Sequence, residues 1–370
     1  MNVIDPKKNI VVNDIISSKH ANNFNLLRII AALGVIYGHS FFLFPPDGTF
    51  DIFAKLFPFT YSGSISVNMF FLISGILVTQ SYFNSKSVYK FMTMRFFRIW
   101  PGLTLCLLAT VFIVGPLFTN LSTKDYLLNL DTFRYLANVT LLLHTFNNYL
   151  PGVFLNALEK GSVNSSLWTL SYEVFCYVVL LICLHLTISI KNNRKYAYKV
   201  GVCVTLLVFL VYPSGYSHYI INVLSEKHIH RFFFFFGFGV LLYLFRNKIP
   251  IKLIFLLLLV VICALFRCVA DGSDIYKLSF DLTFIYAIIY FAYLPVLRKL
   301  KFNSDYSYGV YLYGYLVQQI AAYLFKLSPY QSMLITFPVS IFLGFLSWNI
   351  IEKRSLDFAK KLTKKYKVNA

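Results

Sequence analysis

The chain has 370 residues, of which 58% are hydrophobic, 19% aromatic and only 13% charged, with a mean hydropathy of +0.66. A soluble globular chain carries roughly 25% charged residues, so this composition excludes a soluble fold and predicts an all-α, polytopic integral membrane protein. The formal net charge of +19 would suit nucleic acid, but the basic residues fall in short clusters between apolar runs, with no long stripe or arm, and no nucleic-acid partner is expected.

Residues 1–25, with Asp5, Lys7, Lys8, Asp14 and Lys19, are too polar for a secretory signal peptide and read as a cytoplasmic N-terminal tail. Apolar runs close to the ~20 residues that cross a ~30 Å hydrocarbon core follow at 26–44, 65–82, 98–118, 166–190, 200–213, 231–245, 252–270, 279–297, 307–325 and 331–351. They make one membrane domain of about ten transmembrane helices over 26–351. With the N-terminus inside, most of the 34 Lys and Arg fall on the cytoplasmic side, which predicts a bacterial inner (cytoplasmic) membrane protein with both termini cytoplasmic. The semi-apolar stretch 132–148 would reverse that bias if it crossed, so a re-entrant or interfacial segment on the outer side is expected there. Residues 352–370 form a basic C-terminal tail whose KKLTKKYK run from Lys360 suits anionic lipid headgroups. The cysteines at 106, 176, 183, 203, 263 and 268 have no metal-ligand spacing. They read as small hydrophobes, and no metal is expected.

Ionisable groups inside the hydrocarbon region cost ~2.5–3.5 kcal/mol on insertion scales, so each is a functional candidate. In NLLRIIAALGVIYGHS, Arg28 and His39 are eleven positions apart. Eleven steps of ~100° return to within ~20° of the same helix face, about 16 Å further along the axis. Ala31, Ala32 and Val35 between them are small enough to leave a groove. The plain alternatives are a snorkelling anchor for Arg28 and an interhelical hydrogen bond for His39. Arg95 and Arg98, in MTMRFFRIWPGL, share a face at the start of a helix. They read as orientation signals or as a phosphate clamp, since the guanidinium fork matches phosphate oxygens. Glu173, in NSSLWTLSYEVFCYVV, stands about two turns into an apolar span, placed to hold or tune His39 or to bond a hydroxyl or indole. Trp168 fits an outer aromatic belt, and Tyr308 marks a further polar cluster in SYGVYLYGYLVQQ.

These motifs, in this order, resemble the acyltransferase-3 family of membrane acyltransferases. The likeness runs through FFLISGILVTQS, RFFRIWPGL, SSLWTLSYEVFCY, SYGVYLYGYLVQQ and WNIIEKRSLDF, over residues 24–358. The resemblance implies a ten-helix fold that moves an acyl group, usually acetyl from cytoplasmic acetyl-CoA, onto a sugar hydroxyl of a cell-envelope glycan. It implies that His39 is the essential histidine and Arg28 its arginine partner. It also implies that Arg95 and Arg98 serve the acyl donor and that Glu173 is the acidic residue following the tryptophan. Gly314 stands where one variant of the late motif has a histidine, so no second base is expected there. No bound cofactor is implied; acetyl-CoA or another acyl-CoA is a co-substrate, and membrane lipids and a glycan acceptor are the expected partners. A transporter or flippase of a lipid-linked sugar is the competing class. The acceptor sugar, the acyl group and homo-oligomer formation stay open.

Overall fold

The structure is a computed structural model that describes residues 10–16, 22–45, 48–85, 87–191, 227–300 and 304–365. The helices run α1 (Val12–Ile16), α2 (Phe24–Leu43), α3 (Ile52–Leu56), α4 (Ser62–Ser85), α5 (Val88–Ala109), α6 (Gly115–Phe118), α7 (Thr123–Leu128), α8 (Leu130–Arg134), α9 (Trp168–Lys191), α10 (Lys227–Leu244), α11 (Leu253–Ala270), α12 (Asp274–Tyr293), α13 (Ser307–Leu324), α14 (Pro329–Ser347) and α15 (Lys353–Lys365). Apart from three isolated bridges, no strand occurs among the described residues.

Seven helical stretches are long and apolar enough to cross a membrane: α2, α4, Val88–Phe118, Ser165–His185, α11, α12 and Pro329–Lys364. A shorter apolar helix covers His230–Leu244. Helix α13 has 18 residues but is rich in tyrosine and glutamine, and it buries nearly its whole length. Nine of the ten expected spans therefore lie on described helices, and 200–213 lies outside the described residues. The 132–148 stretch forms no span. Helix α8 runs into a short 3-10 turn, Tyr135–Thr140, and irregular chain follows.

The chain divides into two compact units, each described by itself. The first comprises residues 1–28, 68–83 and 176–304. Here α4 and α10 meet backbone to backbone: a Cβ on Gly75 would stand 2.1 Å from the Phe236 carbonyl oxygen, and one on Gly239 2.2 Å from that of Leu72. Small residues let membrane helices approach this closely. The Phe71 and Phe232 rings stack beside the contact at 4.2 Å. The Asn23 side-chain amide donates to the carbonyls of Phe291 and Leu294, both at 2.9 Å, closing the end of α12. Part of the expected tail is folded into this unit, since Val12 N–H donates to the Ile249 carbonyl at 3.1 Å. Helix α11 buries only Leu256 and exposes most of its other aliphatic side chains, a surface that suits lipid.

The second unit comprises residues 29–67, 84–175 and 305–370. Ser87 caps α5, accepting from the Lys90 N–H at 3.2 Å. A π turn, Thr110–Val114, interrupts the helix before α6. The Tyr126 hydroxyl donates to the Val111 carbonyl in that turn at 2.9 Å, tying the 119–164 segment to α5. Helices α13 and α14 form a tight hairpin in which a Cβ on Gly309 would lie 2.8 Å from the Gly344 Cα. A Ser328–Gln331 capping box and Pro329 start α14. Beyond a second π turn, Trp348–Glu352, the basic tail continues as α15. Its Ala359 and Thr363 are buried and its Phe358 ring lies 5.5 Å from Phe97 of α5, while Lys353, Arg354, Lys360, Lys361 and Lys364 are exposed.

Candidate active site

Helix α13 is the spine of the second unit, and each end of it gathers polar side chains of a different kind. At the Ser307 end the gathering is ionic. Arg98, only 12% exposed, pairs through one terminal nitrogen with Asp305 and through the other with Glu352 at 3.4 Å. Ser307 donates to Asp305, and Ser347 donates to Glu352 at 2.8 Å. The guanidinium carbon also lies 5.5 Å from the Tyr308 ring and 5.8 Å from the Trp348 ring. The Tyr308 hydroxyl donates to the Ile99 carbonyl at 2.7 Å. A buried charge has to be paired and hydrogen-bonded, and this cage meets that demand with groups from α5, the approach to α13 and the turn after α14. The two arginines do not open their helix, as the sequence suggested. Ser87 starts α5 at Val88, so Arg95 and Arg98 lie two to three turns in, with Arg95 half-buried one turn before the cage.

Midway, the Tyr311 hydroxyl bonds the Thr169 hydroxyl and the Ser166 carbonyl, holding α13 to the start of α9. Trp168, the first residue of α9, meets Tyr172 edge-on at 5.3 Å. One turn beyond Thr169, Glu173 comes within electrostatic range of Tyr308 and Tyr311.

From Leu312 toward the Leu324 end the polar groups that bond one another are neutral, with the exposed Glu159 carboxylate within electrostatic range of Tyr315. The His39 ring meets Tyr315 edge-on at 5.1 Å and 82°. The Tyr315 hydroxyl hydrogen-bonds Ser162 at 2.7 Å, and Ser162 bonds Ser165 at 2.9 Å. The Asn148 amide donates to both serines, to Ser162 at 2.6 Å. Gln319 donates to the Ser162 carbonyl and to that of Glu159 at 3.0 Å. Gln318 donates to the Ile36 carbonyl at 2.8 Å and to Ser40 Oγ at 3.0 Å, on the turn of α2 that carries His39. Asn164 donates to the Leu312 carbonyl at 2.8 Å.

His39 makes no hydrogen bond or ion pair among the described residues, and its Nδ1 is buried. Glu173 therefore does not hold the imidazole; it comes within electrostatic range of Tyr308 and Tyr311 instead. Helix α2 is continuous from Phe24 to Leu43, so the interval from Arg28 to His39 is helical throughout. Arg28 belongs to the first unit, its guanidinium carbon 6.0 Å from the Phe70 ring centroid. Ala31, Ala32 and Val35 are buried, so that face is packed rather than grooved. Sequence reasoning missed Asp305, Glu352, Ser162, Tyr315, Gln318 and Gln319. Two adjacent glutamines in an otherwise apolar helix are themselves a signal, because a polar group inside a membrane needs a reason. Among the described residues no group of His, Cys, Asp and Glu could hold a metal ion.

A family model described as an acyltransferase domain matches residues 22–351. The chain is 28% identical over 357 residues to an "O-acetyl transferase" of Shigella phage Sf6, covering 91% of this chain and 96% of that protein. It is 32% identical over 171 residues to "Nodulation protein 10" of Rhizobium leguminosarum bv. viciae, covering 44% of each. No solved structure matches.

Proposed function

Because the chain belongs to the acyltransferase-3 family and is a membrane O-acetyltransferase, we propose that it carries acetyl from cytoplasmic acetyl-CoA to a sugar hydroxyl. The acceptor is a cell-surface polysaccharide or lipid-linked glycan, such as O-antigen or exopolysaccharide, and the chain lies in the bacterial inner membrane with both termini cytoplasmic. The observation that carries this reading is His39, an imidazole with a buried ring nitrogen left without a partner, set in a neutral cluster of hydroxyls and amides.

His39 takes the proton of the acceptor hydroxyl as its oxygen attacks the thioester carbonyl. The C–S bond breaks as the new C–O bond forms, and the CoA sulfur leaves with the proton returned by the imidazolium. Glu173, on the first turns of α9 and within electrostatic range of Tyr308 and Tyr311, is a positioning residue at the α9–α13 contact in this reading. On the donor side Arg95 supplies charge for the CoA phosphates. Arg98 has both terminal nitrogens engaged by carboxylates, so its part is to fix the α5 turn on which Arg95 stands. Trp168 and Tyr308 support the arrangement from the start of α9 and the start of α13.

Incubating the purified chain in nanodiscs with labelled acetyl-CoA and membrane glycan tests the reading. Label should pass into the glycan, and mass spectrometry should find one acetyl per modified sugar. A chain that moves lipid-linked sugar across the bilayer while leaving acetyl-CoA intact would overturn the proposal.

A further inference from the structure

Four buried atoms beside the Leu312–Gln319 stretch of α13 have no hydrogen-bond partner among the described residues: Asn164 Oδ1, Gln318 Oε1, Gln319 Oε1 and His39 Nδ1. Asn164, Gln318 and Gln319 are themselves 0% exposed. The orientation of each amide follows from its network. The Asn164, Gln318 and Gln319 nitrogens all face main-chain carbonyls, which accept only, so the oxygens are the ends left over. His39 joins them as an acceptor in the tautomer protonated at Nε2. All four atoms then ask for a donor.

Which ligand donates and carries no charge? A phosphate or carboxylate only accepts, so it has nothing to offer these oxygens. No cluster of His, Cys, Asp and Glu among the described residues could hold a metal ion, and the carboxylate near Tyr315, that of Glu159, is exposed rather than buried with these atoms. A polyol fits, because each of its hydroxyls brings one O–H donor. Their residues all lie on α13 or touch it between Leu312 and Gln319. Gln318 sits on the Ile36–Ser40 turn next to His39, and Gln319 and Tyr315 both hold Ser162. The Tyr315 ring faces His39. Asn148 and Ser165 are half-buried at the rim, and Tyr149 beside them is exposed, offering an aromatic face of the sort that takes the apolar side of a sugar ring.

The geometry points to an acceptor subsite for a sugar ring, formed by the Leu324 end of α13 and the 148–165 segment. One hydroxyl is presented to His39, and its neighbours donate to the carboxamide oxygens of Gln318, Gln319 and Asn164. This rests on the acyl-transfer reading above. Tyr315 is a positioning residue that sets the His39 ring and the 148–165 segment together. Specificity follows from the same feature: a site built to hydrogen-bond hydroxyls strongly rejects an analogue that lacks them.

The test is saturation-transfer NMR of the full-length chain in nanodiscs with methyl glycosides of hexoses, N-acetylhexosamines and 6-deoxyhexoses, in the absence of acetyl-CoA. A saturable contact with at least one glycoside is expected. Gln318→Leu and Tyr315→Phe should weaken it at least about tenfold, while Lys360→Ala, on the exposed face of α15, should leave it within about twofold. Melting temperatures of the variants, measured alongside, identify any loss caused by unfolding, and Ser162→Ala provides a second, smaller deletion of the same network. No saturable contact in the wild type overturns the subsite, as does a contact that folded Gln318→Leu and Tyr315→Phe both retain. The readout needs no acetyl transfer, so failure of the acyl-transfer reading shows separately in the acetyl-CoA assay.

Discussion

At its Ser307 end helix α13 meets opposed charges, Arg98 between Asp305 and Glu352, with two serine hydroxyls completing the carboxylates. At its Leu324 end it meets hydroxyls, carboxamides and one imidazole, and several of their acceptor atoms are left over. The contrast follows from what burial costs. An unpaired buried charge is prohibitive, so an ionic cluster must be closed by the protein itself. A buried carbonyl oxygen lacking one bond costs far less, so a neutral cluster can keep spare capacity for something that arrives and leaves. The closed end is a joint and the open end is a site.

Breaking the joint should have the largest effect on folding. Arg98→Ala leaves Asp305 and Glu352 buried against each other, and loss of one partner from a buried pair costs ~3–5 kcal/mol. Chemical denaturation should show a loss of that order, and Glu352→Gln, which leaves one cation against one carboxylate, a smaller one. The first unit offers a comparison in which no charge is involved. Gly75→Ala pushes a methyl against the Phe236 carbonyl and should destabilise by ~1–3 kcal/mol, the usual cost of overpacking, with catalytic constants per folded molecule unchanged. The smallest effect separates the two arginines. Arg95→Lys keeps the charge but loses the planar fork, and the apparent KM for acetyl-CoA should rise about fivefold with kcat steady, the signature of lost uniform binding. An equal rise in Arg98→Lys, with no change in melting, would make the joint a donor site after all.

How much of this was legible beforehand depends on range. Nine of the ten spans, the eleven-residue interval from Arg28 to His39 and the non-crossing 132–148 segment follow from local periodicity and charge, and the described helices carry them. The start of α5 lies outside its apolar run, because Ser87, eleven residues before that run, caps the helix with its side chain. Pairings between helices were not legible. Arg98 meets its carboxylates 207 and 254 residues away, and nothing local announces that. The idea that Glu173 holds His39 failed for the same reason, since it needed the register of α9 against α13. That register is set by the Thr169 and Tyr311 hydroxyls. Gln318 and Gln319 could have been found, because two amides in a membrane helix are costly unless they are used.

The claim that chemistry belongs to the neutral end is tested most directly by the initial rate of acetyl transfer in His39→Gln and Arg98→Lys, prepared identically and normalised to the folded fraction. His39→Gln keeps the size and polarity of the side chain but not its basicity. The account predicts that it loses at least ~10²-fold in rate while melting as the wild type does, and that Arg98→Lys melts earlier yet turns over within about tenfold of wild type per folded molecule. A well-folded His39→Gln chain that transfers acetyl at close to the wild-type rate would contradict it.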